Sequence, residues 1–330
     1  MLTAPAMNRR TFNRTLATLV GAAALPKIFR AEPRPNSSNS SATVDTHAHI
    51  FQRGLKLASS VRYVPDYDAP LADYLRQLDA HAIAKGVLVQ PSFLGTDNSY
   101  LVAALKQQPA RLRGVVVVDP AISAAALADL AAAGAVGIRL NLIGAKLPDL
   151  SAAPWPAFIA QLLKLNWLVE IQREARDLPQ VVGPLVAAGL NVVVDHFGRP
   201  DPAQGVDDPG FRYLLKTAAT RRLWLKLSGA YRNGPDGRGD AIAQAAIPLV
   251  RDAFGAERLL WGSDWPHTQF ERVASYDAVH TQFDSWITDP KERAVILGAS
   301  PLKLYHFPTP PTLTFQDGSG PAVVAQATQR

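Results

Sequence analysis

From Thr43 onward the chain alternates short apolar runs with longer stretches of helical spacing. Eight runs of four to six residues stand out: Thr43–Ala48, Gly86–Gln90, Gly114–Val118, Gly137–Leu140, Trp167–Ile171, Asn191–Asp195, Leu223–Leu227 and Leu259–Gly262. They are nearly continuous in apolar residues, the pattern of parallel strands buried on both faces. Between them the spacing predicts helices over Leu71–His81, Tyr100–Gln107, Ser123–Ala133, Pro156–Leu165, Pro179–Ala188, Pro209–Thr220 and Ala241–Phe254. Two more follow the last run, near Ser275–Trp286 and Pro290–Leu297. Several helices close on a glycine before the next strand, as at Gly134 and Gly189. Eight strand–helix units in about 265 residues predict an α/β fold, a single closed (β/α)8 TIM barrel. An open doubly wound sheet is the alternative, but no glycine-rich phosphate loop follows the first strand.

The two ends do not fit this alternation. Arg9 and Arg10 precede Phe12, and Leu16–Leu25 carries no charge. This resembles a twin-arginine export signal, with a basic disordered tail as the alternative. The apolar stretch is about ten residues, where spanning a bilayer takes roughly 20. Met7 is an alternative start, and residues 31–42 read as a polar linker. The tail from Pro308 is rich in Pro, Gly, Ser and Gln and is expected to be disordered. The expected organisation is thus signal and linker over 1–42, barrel over 43–307 and tail over 308–330. It implies a periplasmic protein that meets the twin-arginine export machinery.

Composition narrows the chemistry. The 330 residues contain no cysteine, which removes disulfides, zinc fingers, iron–sulfur clusters and thiol catalysis together. The net charge of +6 sits mostly in the first 42 residues, which hold six basic residues and one acid. The remainder carries 28 basic residues against 27 acids, so the barrel presents no charge argument for nucleic acid.

In a barrel of this kind chemistry gathers at the carboxyl ends of the strands. The first run ends Asp45-Thr46-His47-Ala48-His49, and residues two apart on a strand share a face, so His47 and His49 point together. The sixth ends Val194-Asp195-His196-Phe197-Gly198-Arg199. The eighth ends Trp261-Gly262-Ser263-Asp264-Trp265-Pro266-His267, where aromatic framing predicts a desolvated Asp264 whose raised pKa suits a general base. Arg139 and Asn141 end the fourth run on one face, and an arginine there needs an anion, either a structural acid or a substrate carboxylate. Gln172 ends the fifth run beside Glu170, Ser92 follows the second, and Ser228, Tyr231 and Arg232 follow the seventh. His81, His280 and His306 fall on helices or the C-terminal connector and are expected to be structural or exposed.

The segments ending the first, sixth and eighth runs resemble the signatures of the amidohydrolase superfamily. The branch they resemble contains 2-pyrone-4,6-dicarboxylate lactonase, sugar lactonases and lactone isomerases. The resemblance spans about Thr43 to Phe307. It implies a barrel hydrolase in which Asp264 activates water and His47, His49 and His196 polarise a lactone carbonyl. Arg139 and Arg232 would hold substrate carboxylate, with Asn141, Ser92, Gln172, Tyr231 and His267 as further substrate contacts. The expected partner is a small carboxylated lactone. Lactone isomerisation, metal-dependent decarboxylation and a barrel that only binds are the rival readings.

On metal the chain departs from the wider superfamily. Binuclear members bridge two ions through an acidic group on strand 4, where this chain has Arg139 and Asn141. Mononuclear members add a histidine on strand 5, where this chain has Glu170-Ile171-Gln172. The expectation is an enzyme without a metal cofactor. The alternative is one divalent ion such as Zn²⁺ on His47, His49, His196 and Asp264.

Overall fold

A computed structural model describes residues 42–308, so the expected signal and the tail beyond Pro308 lie outside the described residues. Eight parallel strands pair in chain order: β1 (Val44–Ala48), β2 (Lys85–Val89), β3 (Leu112–Val116), β4 (Ala135–Asn141), β5 (Leu168–Gln172), β6 (Val192–Val194), β7 (Leu223–Leu227) and β8 (Leu259–Trp261). The ring closes just beyond β8, where Ala48 bridges Trp265 in parallel. There the amide of His49 donates to the Trp265 carbonyl and that of Asp264 to the His47 carbonyl, both at 2.8 Å. Helices α1 (Leu71–Ala80), α2 (Ser99–Gln107), α3 (Ala124–Ala132), α4 (Trp155–Lys164), α5 (Leu178–Ala187), α6 (Pro209–Thr217), α7 (Arg238–Phe254) and α8 (Tyr276–Trp286) each follow one strand. Two short helices, α9 (Pro290–Ala294) and α10 (Ser300–Leu304), end the described chain.

Each helix turns its apolar stripe to the sheet, as Leu178, Val181, Val182, Leu185 and Val186 do on α5. Inside the ring, Val44, Val87, Val89, Val115, Val136, Leu168, Val193 and Leu260 pack together. Leu302, Leu304, Tyr305 and Phe307 join them from α10 and its exit, closing the amino-terminal end of the barrel. The open end is the carboxyl end of the strands.

Several expected boundaries move, two strands most clearly. β3 begins and ends two residues earlier than the apolar run, because the Asn98 side chain takes over the backbone of Val117: its Oδ1 accepts from the Val117 amide and its Nδ2 donates to the carbonyl. β6 stops at Val194, because His196, Phe197 and Arg199 all have left-handed backbones, at φ 52°, 58° and 50°.

Candidate active site

β1 carries a bulge between Asp45 and Ala48, where its register against β2 shifts by one residue. A bulge re-aims side chains. This one falls where the strand presents His47 and His49, of which His49 lines the mouth. Asp45 fixes it: Oδ1 accepts from the amides of Ser263 at 2.8 Å and His47 at 3.1 Å. Its Oδ2 accepts from the hydroxyls of Ser263, Tyr276 and Tyr74 at 2.6, 3.1 and 3.2 Å. The site's first strand is therefore clamped to β8, α1 and α8 by one buried carboxylate.

Close approach needs two glycines. A Cβ on Gly262 would lie 2.6 Å from that of His47. One on Gly229, itself left-handed at φ 52°, would lie 2.7 Å from His196 Nδ1 and 3.1 Å from Asp264 Oδ2. Asp264 also sits in the left-handed region, at φ 59°. Such strain persists only where surrounding structure over-determines it, and it clusters at functional sites.

The Nε2 atoms of His47 and His49 lie 3.2 Å apart, each 3.8 Å from Asp264 Oδ1. The rings of His47 and His196 are 4.9 Å apart. Asp264 is completely buried. Its Oδ2 accepts from Arg232 Nε at 2.5 Å and from the Tyr231 hydroxyl at 2.7 Å. Among the described residues its Oδ1 has no hydrogen-bond partner, nor does Nε2 of His196. Both residues line a cavity of about 150 Å³, with His49, Arg62, Ser92, Arg139, Asn141, Gln172, Arg199 and Arg232 among the others.

The expected pKa of Asp264 is corrected. Burial raises it, but Arg232, His196 and His47 outweigh burial and hold it well below the usual carboxylate value. The histidines move the same way for another reason. Burial pushes His49 down to about 4 and His196 to about 3, and holds His47 well below its usual value, so all three rings are neutral at pH 7.

The arginines are redistributed as well. Arg139 donates to Asp195 Oδ2 at 3.0 Å and Gln172 Oε1 at 2.9 Å, so of the two anions left open, the structural acid is present. Arg232 is committed to Asp264. Arg62 and Arg199 line the same cavity with no carboxylate partner among the described residues; Arg62 donates only to Asn141 Oδ1 at 3.3 Å. Neither was singled out from sequence. Arg62 stands in a long loop after β1 with no motif around it, whereas Arg199 ends the Asp195–Arg199 motif and was legible there. Tyr231 and His267, expected at the substrate, instead stand behind Asp264 and do not line the cavity. The Tyr231 hydroxyl joins Asp264 to His267 Nδ1, 3.0 Å away. His47 is likewise buried behind His49.

Two donor sets have spacing that could hold an ion: His47, His196 and Asp264, and beneath them His47, Glu170 and Asp195. Both are already charge-compensated. Arg232 sits on Asp264, and Lys226 Nζ stands inside the second set, 2.5 Å from Glu170 Oε2, 2.9 Å from His47 Nδ1 and 3.4 Å from Asp195 Oδ1. Arg139 adds a third buried cation, 3.8 Å from Glu170. A divalent ion gains little where the carboxylates are already paired and three fixed positive charges repel it. The donors do not fit one.

The pattern of the amidohydrolases matches residues 44–307. The chain belongs to the amidohydrolase family. Within it, a 2-pyrone-4,6-dicarboxylate hydrolase of Comamonas testosteroni is 33% identical over 285 residues, 82% of this chain and 92% of that protein. The crystal structure of a probable 2-pyrone-4,6-dicarboxylic acid hydrolase from Acinetobacter baumannii, with citric acid bound, superposes with a TM-score of 0.78 at 39% identity. It covers 80% of this chain and 99% of that one. A Burkholderia multivorans amidohydrolase with bound zinc shares the fold, with a TM-score of 0.68 at 23% identity over 81% of this chain and all of that one.

Proposed function

We propose that this amidohydrolase opens a lactone that carries at least two carboxylates, by attack of water and without a metal cofactor. The observation that carries the reading is the partnerless Oδ1 of Asp264, set between neutral histidines and two arginines that lack a carboxylate of their own. Arg232 and Tyr231 occupy Oδ2, so Oδ1 alone is free to take the proton of a water molecule. The water oxygen then bonds to the lactone carbonyl carbon, with the His196 imidazole beside the developing oxyanion. Positioned donors of this kind are often the largest catalytic term. The ring C–O bond breaks, and the proton held by Asp264 passes to the departing oxygen. Arg62 and Arg199 each suit a carboxylate, which arginine holds through two parallel hydrogen bonds. The dicarboxylate named in the Comamonas relative supports two such groups on the substrate.

Purified protein is assayed against pyrone dicarboxylate and sugar lactones in H₂¹⁸O, before and after exhaustive chelation. Hydrolysis puts one ¹⁸O in the new carboxylate and survives chelation. Product without ¹⁸O means isomerisation, and activity that zinc alone restores overturns the metal-free reading. The Arg9-Arg10 pair further supports export by the twin-arginine route to the periplasm, with the export machinery as a transient partner. Changing both arginines to Lys then leaves the protein in the cytoplasm, and undiminished periplasmic protein refutes export.

A further inference from the structure

Below the cavity floor, strands β1, β4, β5 and β7 and the end of β6 bring together His47, Arg139, Glu170, Lys226 and Asp195, none more than 3% exposed. The Lys226 ammonium has three hydrogens and three acceptors within 3.4 Å: Glu170 Oε2, His47 Nδ1 and Asp195 Oδ1. It occupies the middle of the deeper metal-type donor set.

An ammonium has no lone pair, so His47 Nδ1 must accept from it. A neutral imidazole that accepts at Nδ1 carries its proton on Nε2. At the other end of the row, His49 Nδ1 lies 2.7 Å from the Val89 carbonyl, which can only accept. His49 therefore donates there and bears a lone pair on Nε2. The Nε2–H of His47 points at that lone pair across 3.2 Å. The row Lys226, His47, His49, Val89 has one consistent direction. The reverse direction needs a neutral amine on Lys226 and a doubly protonated His49.

We infer that Lys226 is a positioning residue that locks His47 as its Nε2–H tautomer, so that His47 supports His49 as a hydrogen-bond donor and never serves as a metal ligand. A histidine that holds a metal presents the opposite arrangement: a lone pair toward the ion and its other N–H on a carboxylate. That carboxylate is present, since Asp195 Oδ1 lies 3.3 Å from His47 Nδ1. Lys226 Nζ, closer at 2.9 Å, competes with it for Nδ1. Burial, with Lys226 beside it, also keeps the His47 ring from taking a second proton. The inference rests on the proposed reading only in taking this cavity as the reaction centre.

The test is long-range ¹H–¹⁵N correlation on the full chain labelled in histidine, with His47 assigned by its loss in His47→Gln. Wild type should show the proton on Nε2. In Lys226→Met it should move to Nδ1, and the variant should bind zinc stoichiometrically where wild type titrated with zinc alone binds little. Its kcat should fall more than tenfold with KM nearly unchanged. Should Lys226→Met not fold, Lys226→Met/Glu170→Gln removes both ionisable partners and should show the same tautomer change and zinc uptake. A wild-type His47 protonated on Nδ1 overturns the inference, as do variants that keep Nε2–H and exclude zinc. Neither readout needs a substrate, so failure of every lactone to react would sink the proposed function and leave the tautomer result standing.

Discussion

Burial and charge pull Asp264 in opposite directions, and charge wins. As pH falls, a carboxylate held below its ordinary pKa stays ionised past the point where a free one is protonated. His49 and His196 stay neutral until about pH 4 and 3. We therefore expect kcat/KM to be level between roughly pH 5 and 7, with the acid limb near or below pH 4. An acid limb centred at pH 6 would contradict this. Asp264→Asn keeps the shape and removes the base, and should cost about 10²–10⁴ in kcat, the usual worth of a positioned base; near-normal turnover would make Asp264 structural. The arginines divide by partner. Arg62→Met and Arg199→Met should each raise KM by the loss of a charge-assisted bond worth about 1.5–3 kcal/mol, with little effect on thermal stability. Arg139→Met should destabilise, because it leaves Oδ2 of the buried Asp195 without its partner. Equal KM for wild type and both of these arginine variants would remove them from the substrate. Sequence placed Asp264 and the histidines at strand ends, since motif and alternation are local. It could not say which cation pairs with which acid, because Arg139 meets Asp195 and Arg232 meets Asp264 only after the ring closes.

At the scale of elements, β1 carries the most demanding geometry. Its bulge depends on five donors to Asp45 from four places in the chain. Hydrogen bonds to a charged acceptor contribute about 1.5–3 kcal/mol each, so Asp45→Ala should lower unfolding free energy by at least about 3 kcal/mol in urea titration. It should also cut kcat, because His47 and His49 are aimed by the bulge. A variant with wild-type stability would show that the bulge stands without its clamp. All eight strands and their helices were legible as apolar runs, because burial on both faces leaves no other pattern. The bulge was not, since one extra residue changes no periodicity in so short a run. The ends of β3 and β6 were misplaced for a related reason. Val117 and Asp195 look like strand, but the side chain of Asn98 and the left-handed turn after Asp195 end the sheet first.

For the molecule as a whole, several histidines share one consequence. His47, His49, His196 and His267 all have folded pKa values below the ordinary 6.5 because burial disfavours their charged form. The unfolded chain takes up protons near pH 6.5 that the folded chain refuses until about pH 4 or lower. Stability therefore falls as pH drops through this window. Asp195 and Asp264, held low, add stability above about pH 4 that is lost only below it. Denaturation midpoints should be lower at pH 5.0 than at pH 7.5, and equal midpoints would mean that the buried histidines are already charged. The global arrangement was legible because eight strand–helix units leave few closed solutions. The interior charge cluster was not, since Lys226 in an apolar run reads as an outward-facing side chain until the register is known.

The base of the barrel has a practical corollary. Leu302, Leu304, Tyr305 and Phe307 seal the amino-terminal end of the strands, and the described chain leaves the fold at Pro308 on that side. The substrate mouth is at the opposite pole. Pro308 is thus a point of attachment set apart from the chemistry. Coupling to a bead, an electrode or a reporter domain can be made there without screening the entrance, provided the four sealing residues stay in place.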